Sequence, residues 1–352
     1  MTAQKTPVGI SLARTFGTKV TEELVLDCAE TMKEKGLVSA GYEYIIIGDS
    51  YALPRRDRET GKLQVNADKF PNGMKALADK LHGMGLKLGI LTSAGASTVN
   101  GAPGSVDKEY VDAETFAEWG VDYISHDTCY MPPKANVQSI IRRMGLALRN
   151  CGRDILYSVF STDEKLHVWA RSAGANAYCD RSFAEAAGVI APKPEAAGYS
   201  ADYCWHNCGE ITLDGSLASL RKRLALAAIM SSPIIVDCDV RELCDDAAAL
   251  LTSAPLLSVA TDEEGRPAKA FYEGVYVKYL ENREYALAFV NGCDEEKTFE
   301  FYAYDFGMTW NADYALQAEG VFGAEGVTEF DQLLKVKVAA GDAAVYKLRF
   351  VR

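Results

Sequence analysis

The sequence predicts an α/β chain built as a (β/α)₈ TIM barrel over residues 1–262, followed by an antiparallel β-sandwich over residues 263–352. Two observations lead to this prediction. Short apolar runs alternate with amphipathic segments eight times between residue 8 and about residue 240, which matches a barrel of about 250 residues. After residue 262, apolar and polar residues alternate and Tyr, Phe and Val are dense, which is typical of half-buried antiparallel strands.

The eight apolar runs are the predicted barrel strands, at residues 8–13, 44–49, 87–92, 122–127, 154–161, 175–181, 202–206 and 233–239. Parallel strands covered by helices on both faces are expected to be apolar throughout. The predicted helices lie between them, at residues 21–35, 74–84, 111–119, 137–150, 163–173, 183–189, 216–230 and 241–253. An open doubly wound sheet is less favoured, because no GxGxxG motif follows the first run.

The C-terminal strands are predicted at residues 269–281, 284–291, 297–304 and 333–350. Turn-forming sequences separate them, and the polar, turn-rich segment at residues 261–267 is the predicted link between the two domains.

Composition narrows the function classes. The net charge of −12 over 352 residues argues against nucleic acid and against an anionic membrane surface as partners. No signal-peptide pattern and no apolar run of membrane-spanning length is present, so we expect a cytoplasmic protein.

The odd count of nine cysteines indicates buried thiols rather than a disulfide framework. Cys204, His206 and Cys208 suggest zinc, but no second close pair completes a site, so we expect no metal and no cofactor.

Functional side chains of a TIM barrel lie at the carboxyl ends of its strands. That rule selects a rim rich in carboxylates, which suits sugar chemistry because paired carboxylates can act as nucleophile and acid/base. Caps and turns, or a Mg²⁺ site, are the alternative interpretations of strand-end Asp residues. The selected residues include Arg14, Asp49, Tyr51, Ser93, His126, Asp127, Asp180, Arg181, His206, Asn207, Asp237 and Asp239.

One block of sequence is far more specific than these patterns. Residues 69–129 contain KFPNGMKALADKLHGMGLKLGI, then APGS, then DAETFAEWGVDYISHDTC. This block resembles glycoside hydrolase family 27, the α-galactosidases and α-N-acetylgalactosaminidases, whose pattern is FPxGMKxLADxxHxxGLKLGIY, RPGS and DAxxFAxWGVDYxKxDxC. The opening GISLARTFG resembles the family's GWNSWNxFG more weakly. Weaker matches extend over essentially the whole chain.

The resemblance implies a retaining glycosidase. It implies that Asp127 is the nucleophile and that Asp49 holds sugar hydroxyls. We expect Asp180 to be the acid/base, because the family's own acid/base position falls nearby, on Ser182. The remaining predicted substrate-binding residues are Tyr51, Ser93, His126, Arg181, His206 and Asn207.

Departures from the family pattern affect the sugar-binding residues. The Lys two residues before the nucleophile is Ser125 here, the first Asp of the strand-two pair is Gly48, and the disulfide partner of Cys129 is Val99. These changes predict altered sugar specificity. Two alternatives stay open: a carbohydrate-binding relative without turnover, and different chemistry that uses His126 or His206. The substrate is expected to be a carbohydrate, and a homodimer and a monomer are equally open.

Overall fold

The computed structural model describes residues 5–183, 185–186, 188, 190, 192–193, 197–201, 203–307 and 315–351. The chain divides into two compact units. The first unit contains Pro7–Val189 and Ile235–Cys244. The second unit contains Met1–Thr6, Ile190–Ile234 and Asp245–Arg352. The predicted domain boundary near residue 262 stays a prediction.

The first unit contains a parallel sheet. The strands of this unit are numbered in chain order as β1 (Val8–Ser11), β2 (Tyr44–Ile47), β3 (Ala52–Arg56), β4 (Leu63–Val65), β5 (Lys87–Ser93), β6 (Tyr123–Asp127), β7 (Leu156–Phe160) and β8 (Ala177–Cys179). Of these, β3 and β4 form a separate antiparallel hairpin. β9 (Trp205–His206) and β10 (Ile211–Thr212) belong to the second unit, and β11 (Ile234–Asp237) follows them. The strands β1, β2, β5, β6, β7 and β8 pair in parallel in that order.

The last predicted barrel strand lies beside the first, because β11 neighbours β1 in the sheet. Closure of a barrel requires this neighbour relation. The hairpin of β3 and β4 was not predicted, since its sequence ALPRRDRETGKLQV carries mostly polar residues.

The helices largely follow the predicted segments, and local sequence sets their ends. Thr21 caps the helix Glu22–Glu34 by accepting a hydrogen bond from Leu24 N, and Asn136 caps Val137–Asn150 in the same way. The other longer helices are Gly73–Gly83, Glu109–Trp119, Leu217–Ile229, Asp245–Leu251 and Ala254–Ala260.

Two of the predicted helices are not seen at their predicted length. The helix predicted at residues 163–173 is reduced to Leu166–Trp169 and a 3₁₀ turn at Arg171–Ala173. Part of the helix predicted at residues 183–189 lies outside the described residues.

The C-terminal strands form two antiparallel sheets. The strands are β12 (Lys269–Tyr272), β13 (Val275–Tyr279), β14 (Tyr285–Val290), β15 (Lys297–Tyr302), β16 (Ala315–Phe322), β17 (Val327–Phe330), β18 (Leu333–Val338) and β19 (Ala343–Val351). One sheet has the order β12-β13-β14-β19-β16-β17 and the other pairs β15 with β18. Side chains from both sheets, among them Phe289 and Phe301, share one apolar core, so the predicted sandwich is confirmed.

Two of the four predicted C-terminal strands were wrong in extent. Residues 269–281 form a hairpin because Gly274 turns the chain with a φ of 78°, and a Cβ there would lie 2.5 Å from Val290 O. Residues 333–350 form two strands, separated by a turn at Gly341. Strands β16 and β17 were missed because glycines interrupt their alternation.

No helix among the described residues is both long and apolar enough to cross a membrane.

Lys278 on β13 is a buried cation in the second unit. Its Nζ donates hydrogen bonds to Ala228 O at 3.2 Å and to Val259 O. Burial lowers the pKa of Lys278 to about 7, although the charge of Asp262 opposes this shift.

Lys278 should therefore make stability depend on pH. Below pH 7 the ammonium is charged in the folded and unfolded states, so the burial cost is complete. Between pH 7 and the unfolded value of 10.5 that cost falls, by up to about 1.4 kcal/mol per pH unit. We expect urea titrations from pH 7 to 9 to show this rise in native protein and a flatter profile in Lys278→Met. The exposed control Lys337→Met should retain the native profile, and an unchanged slope in Lys278→Met would contradict the assignment.

Candidate active site

A cavity of about 320 Å³ opens at the carboxyl ends of β1, β2, β5 and β6 in the first unit. This volume lies within the usual range for small-molecule sites, roughly 300–1,000 Å³. Its polar and aromatic lining includes Arg14, Asp49, Asn100, Ser125, Asp127, Cys129 and Phe183. The structure therefore brings together the predicted nucleophile Asp127, the predicted substrate-binding residue Asp49 and the selected strand-end residue Arg14.

Asp127 ends β6 and presents its carboxylate to the cavity. Its Oδ2 accepts a hydrogen bond from Phe183 N at 3.0 Å, while its Oδ1 is buried and has no hydrogen-bond partner among the described residues. Burial raises the pKa of Asp127 above 3.8, backbone amides of Phe183, Thr128 and Cys129 oppose the shift, and the negative charge of Glu185 adds to it.

His126 faces the other side of the same strand. Side chains alternate along a β-strand, so Ser125 and Asp127 line the cavity while His126 points towards the helices. Its Nδ1 lies 2.8 Å from Tyr157 Oη, and complete burial lowers its pKa to about 4. His126 is therefore a neutral side chain of the packed interior at pH 7, and the structure does not bring it to the cavity.

Asp49 follows β2, and its carboxylate accepts hydrogen bonds from another residue of the chain. Its Oδ2 accepts from Asn100 N at 3.0 Å, and its Oδ1 accepts from Asn100 Nδ2 at 2.6 Å. Both carboxylate oxygens thus hold one residue of the segment that follows β5. Asn100 also lines the cavity, beside Asp49.

The segment at residues 94–105 forms one wall of the cavity and is packed tightly against the segment after β6. Ala96 N donates to Tyr130 O at 3.0 Å, and Cys129 Sγ lies 3.5 Å from Ser97 O. A Cβ on Gly95 would lie 2.1 Å from Cys129 O, so this close approach requires glycine. We name residues 94–105 the β5 wall.

Arg14 follows β1, and a buried carboxylate fixes its backbone. Asp237 Oδ2 accepts from Ser11 Oγ at 2.8 Å and from Arg14 N at 3.0 Å. Asp237 Oδ1 accepts from Thr15 N at 2.9 Å and from Thr15 Oγ1 at 2.7 Å. The Arg14 guanidinium carbon lies 4.5 Å from the centre of the Phe183 ring.

The two aspartates at the carboxyl end of β11 therefore accept hydrogen bonds from backbone N–H groups and fix neighbouring segments of the chain. Asp237 positions the segment after β1, and Asp239 caps the turn Val240–Glu242 by accepting from Arg241 N at 3.1 Å.

Other predicted residues lie outside the described lining of the cavity. Tyr51 is buried with its ring against Trp119, and its hydroxyl donates to Leu91 O at 3.2 Å. Ser93 is buried and accepts from Gly95 N at 3.0 Å. Asp180 and Arg181 follow β8 directly, both half-buried.

His206 and Asn207 belong to the second unit. His206 N donates to Ser200 Oγ at 3.2 Å, and Asn207 Oδ1 accepts from Gly209 N at 2.9 Å. Cys208 Sγ lies 3.7 Å from His206 Nδ1. The described residues contain no group of three or more His, Cys, Asp or Glu side chains that could hold a metal ion.

Sequence reasoning missed three residues that shape the site. The amide of Asn100 donates a hydrogen bond to Asp49, and Phe183 N donates one to Asp127. The negative charge of Glu185 raises the pKa of Asp127. The Asn-Gly pair at residues 100–101 signalled a turn but gave no indication of its partner.

Comparison with known proteins identifies the family. A family model described as Alpha galactosidase A matches residues 10–178. The α-galactosidase A of Cellvibrio japonicus is 33% identical over 379 residues, which cover 98% of this chain and 92% of that protein. The α-galactosidase mel1 of Schizosaccharomyces pombe is 30% identical over 325 residues, 80% of this chain and 74% of that protein. The chain belongs to the α-galactosidase family, glycoside hydrolase family 27.

The fold of this family member agrees with a solved structure. The crystal structure of α-galactosidase I from Mortierella vinacea matches with a TM-score of 0.89 at 22% identity, covering 99% of this chain and 97% of that one. The predicted (β/α)₈ barrel with a C-terminal β-sandwich is therefore confirmed. The chain is a glycosidase, and glycosidases of this family act on carbohydrate substrates.

Removal of the Asp127 charge should stabilise this glycosidase. Because the pKa of Asp127 is raised above 3.8, its ionised form is disfavoured in the folded state. The free-energy cost of burying the Asp127 charge is complete above the pKa of this group in the folded state, and it disappears below pH 3.8. We expect Asp127→Asn to increase the free energy of unfolding at pH 7 by about 1 kcal/mol, and the gain to vanish by pH 3.5, measured by denaturant titration.

The exposed Asp57 offers the matched control. Hydrogen bonds from Thr60 lower the pKa of Asp57, so Asp57→Asn should give no such gain. A loss of stability in Asp127→Asn at pH 7, or a gain that does not change with pH, would contradict the burial cost.

Proposed function

We propose that the chain is a retaining α-glycosidase with altered sugar specificity, in which Asp127 is the nucleophile and Asp180 the acid/base. The orientation of Asp127 is the main support. Its carboxylate faces the cavity, the Phe183 amide fixes one oxygen, and the other oxygen has no hydrogen-bond partner among the described residues. A carboxylate held in this way can attack an anomeric carbon without first breaking an ion pair.

The reaction requires two steps. Asp127 attacks the anomeric carbon while the acid partner protonates the departing glycosidic oxygen, which leaves a glycosyl ester on Asp127. The same partner then removes a proton from water, which attacks the ester and releases the sugar with its original configuration. The nucleophile must be ionised and the acid must be protonated at the working pH.

Two carboxylates compete for the acid/base role. Asp180 directly follows β8, where the family resemblance places the acid/base nearby. Glu185 is the second candidate, because its charge raises the pKa of Asp127. Its segment also bonds directly to the nucleophile through Phe183 N. Glu185 Oε2 accepts from Ser182 N at 3.2 Å, which ties its carboxylate to this segment.

Altered specificity follows from the contacts of Asp49 and from Ser125. Each oxygen of Asp49 accepts a hydrogen bond from Asn100, so a sugar hydroxyl must share this carboxylate with Asn100. Ser125 lines the cavity where the family pattern has Lys. A sugar that relies on that Lys and on a free Asp would lose its hydrogen-bond partners, which disfavours binding strongly.

A carbohydrate-binding protein without turnover is the second candidate function. One observation favours it: Asp180 is not among the described residues that line the cavity with Asp127. Chemistry based on His126 has less support, because that side chain faces away from the cavity and bonds to Tyr157.

We also propose a cytoplasmic location. Cys129 is a free thiol whose Sγ lies 3.3 Å from Ser93 Oγ, and a reducing compartment preserves such thiols.

Turnover with retention tests the proposal directly. We expect hydrolysis of at least one member of an aryl α-glycoside panel, with the α-anomer as the first product in an NMR time course. Asp127→Asn should reduce kcat/KM by at least about 10³-fold, while the exposed control Asp68→Asn should remain within about twofold of native. Saturable sugar binding without hydrolysis of any panel member would instead support the binding protein.

Leaving-group dependence identifies the acid/base. The variant that lacks it should retain a near-native kcat/KM for a dinitrophenyl glycoside, because kcat/KM reports the first step and that leaving group needs no proton. Its kcat/KM for a methyl glycoside should fall at least about 10²-fold. We expect this split in Asp180→Asn. The same split in Glu185→Gln alone would transfer the role to Glu185, and equal losses on both substrates in both variants would contradict both assignments.

A further inference from the structure

Val99 places an apolar side chain at the mouth of the candidate active-site cavity. It lines this cavity together with Asp127 and Cys129, yet Val99 is 60% exposed to solvent. A side chain that lines a cavity and is also exposed lies at its opening. In the family pattern a cysteine stands at this position and pairs with the position of Cys129. Here Cys129 is a free thiol, and Val99 presents two methyl groups instead of a disulfide.

The backbone is held in place on both sides of Val99. Thr98 N donates to Ala102 O at 2.8 Å, and Thr98 Oγ1 accepts from Ala102 N at 2.9 Å. On the other side, Asn100 N donates to Asp49 Oδ2 at 3.0 Å. These contacts fix the tip of the β5 wall without the disulfide of the family pattern. Val99 is therefore positioned before a ligand arrives, which reduces the entropy lost on binding.

A second exposed apolar side chain follows the strand that carries Asp127. Tyr130 is 62% exposed and comes three residues after Asp127, so the Cα atoms of these two residues are at most about 11 Å apart. Ala96 N donates to Tyr130 O at 3.0 Å, which joins this segment to the β5 wall. The backbone of Tyr130 has a φ of 50°, which is uncommon for a bulky residue. The segment that contains Tyr130 thus meets the β5 wall on the side of the cavity that Cys129 and Val99 line.

The size of the cavity determines which part of a substrate reaches its mouth. Its volume of about 320 Å³ is near the lower end of the range for small-molecule sites, roughly 300–1,000 Å³, and suits one sugar ring. The aglycone is joined to the anomeric carbon and departs on the side opposite to the attacking Asp127 carboxylate, so it extends towards the opening. The methyl groups of Val99 cannot pair with the hydroxyls of a second sugar, but they can shield an apolar group from water.

We propose that the substrates are α-glycosides of apolar alcohols, and that Val99 is a specificity-determining residue that contacts the aglycone. The inference rests on the proposed function for the position of the sugar, and it extends that function to the class of leaving group. Tyr130 enlarges the apolar surface on which the aglycone lies. Selection of the leaving group thus takes place at the mouth of the cavity, apart from the polar groups that surround the sugar.

Binding of the aglycone can be measured without turnover. The full chain with Asp127→Asn is titrated by calorimetry with benzyl α-galactopyranoside and with methyl α-galactopyranoside, which carry the same sugar. We expect the benzyl glycoside to bind at least about fivefold more tightly, because its aglycone buries apolar surface at the cavity mouth. Adding Val99→Ser should reduce this ratio to below about twofold, and adding Tyr130→Ser should also reduce it. Adding Val99→Leu should raise the ratio, a gain that a purely structural role of Val99 does not predict.

Val327 provides the matched control. It is an exposed valine on β17 in the second unit, 58% exposed and outside the cavity lining. Val327→Ser should preserve the preference for the benzyl glycoside. The disaccharide melibiose, in which the leaving group is itself a sugar, serves as a further probe. It should bind no more tightly than the methyl glycoside, because Val99 offers its hydroxyls no hydrogen-bond partner.

The inference and the proposed function can fail separately. Equal binding of the benzyl and methyl glycosides, absence of binding by both, or tighter binding of melibiose than of the benzyl glycoside would overturn the inference. A preference that survives Val99→Ser would overturn it as well, whatever the result for Tyr130→Ser. Hydrolysis of an aryl α-glycoside with retention by the native protein would still support the proposed glycosidase in those cases. Conversely, a Val99-dependent preference in binding, with no hydrolysis of any aryl glycoside, would support the aglycone class and contradict the proposed reaction.

Discussion

The carboxylate of Asp127 is buried at the end of β6 and is held by the amide of Phe183. Burial raises its pKa, and backbone amides oppose that shift without adding a neighbouring cation. A carboxylate paired with Arg or Lys would be stable but a poor nucleophile, whereas amide donors support the charge and leave one oxygen available. The segment that contains Phe183 thus positions the proposed nucleophile and also supplies the aromatic surface beneath Arg14.

The remaining cavity supports the proposal that this family member has a different sugar specificity. The β5 wall is fixed by backbone contacts with residues 129–130 and by the bond between Asn100 and Asp49. The carboxylate of Asp49 thereby accepts hydrogen bonds from the chain itself. Asp237 has a supporting role, because its four hydrogen bonds fix the segment that carries Arg14. Specificity in this account depends on which polar groups are already satisfied before the sugar binds.

Sequence reasoning predicted the fold well because barrel strands and amphipathic helices have strong, regular patterns. A specific motif selected Asp127 as the candidate nucleophile. The alternation of side chains along β6, which places His126 on the opposite face, can also be read from the sequence. Sequence reasoning could not identify the partner of Asp49, since Asn100 is 51 residues away and only the folded β5 wall brings them together. Hairpin turns at Gly274 and Gly341 were missed because the flanking strands form continuous alternating patterns.

Covalent labelling tests the central role of Asp127 most directly. An activated 2-deoxy-2-fluoro glycoside of the best substrate slows the second step, so the glycosyl ester accumulates and can be located by peptide mass spectrometry. The account predicts one sugar per chain, attached to Asp127, and no label in Asp127→Asn. A stoichiometric label on Asp180 or Glu185 would contradict the account, as would turnover with inverted configuration and no label.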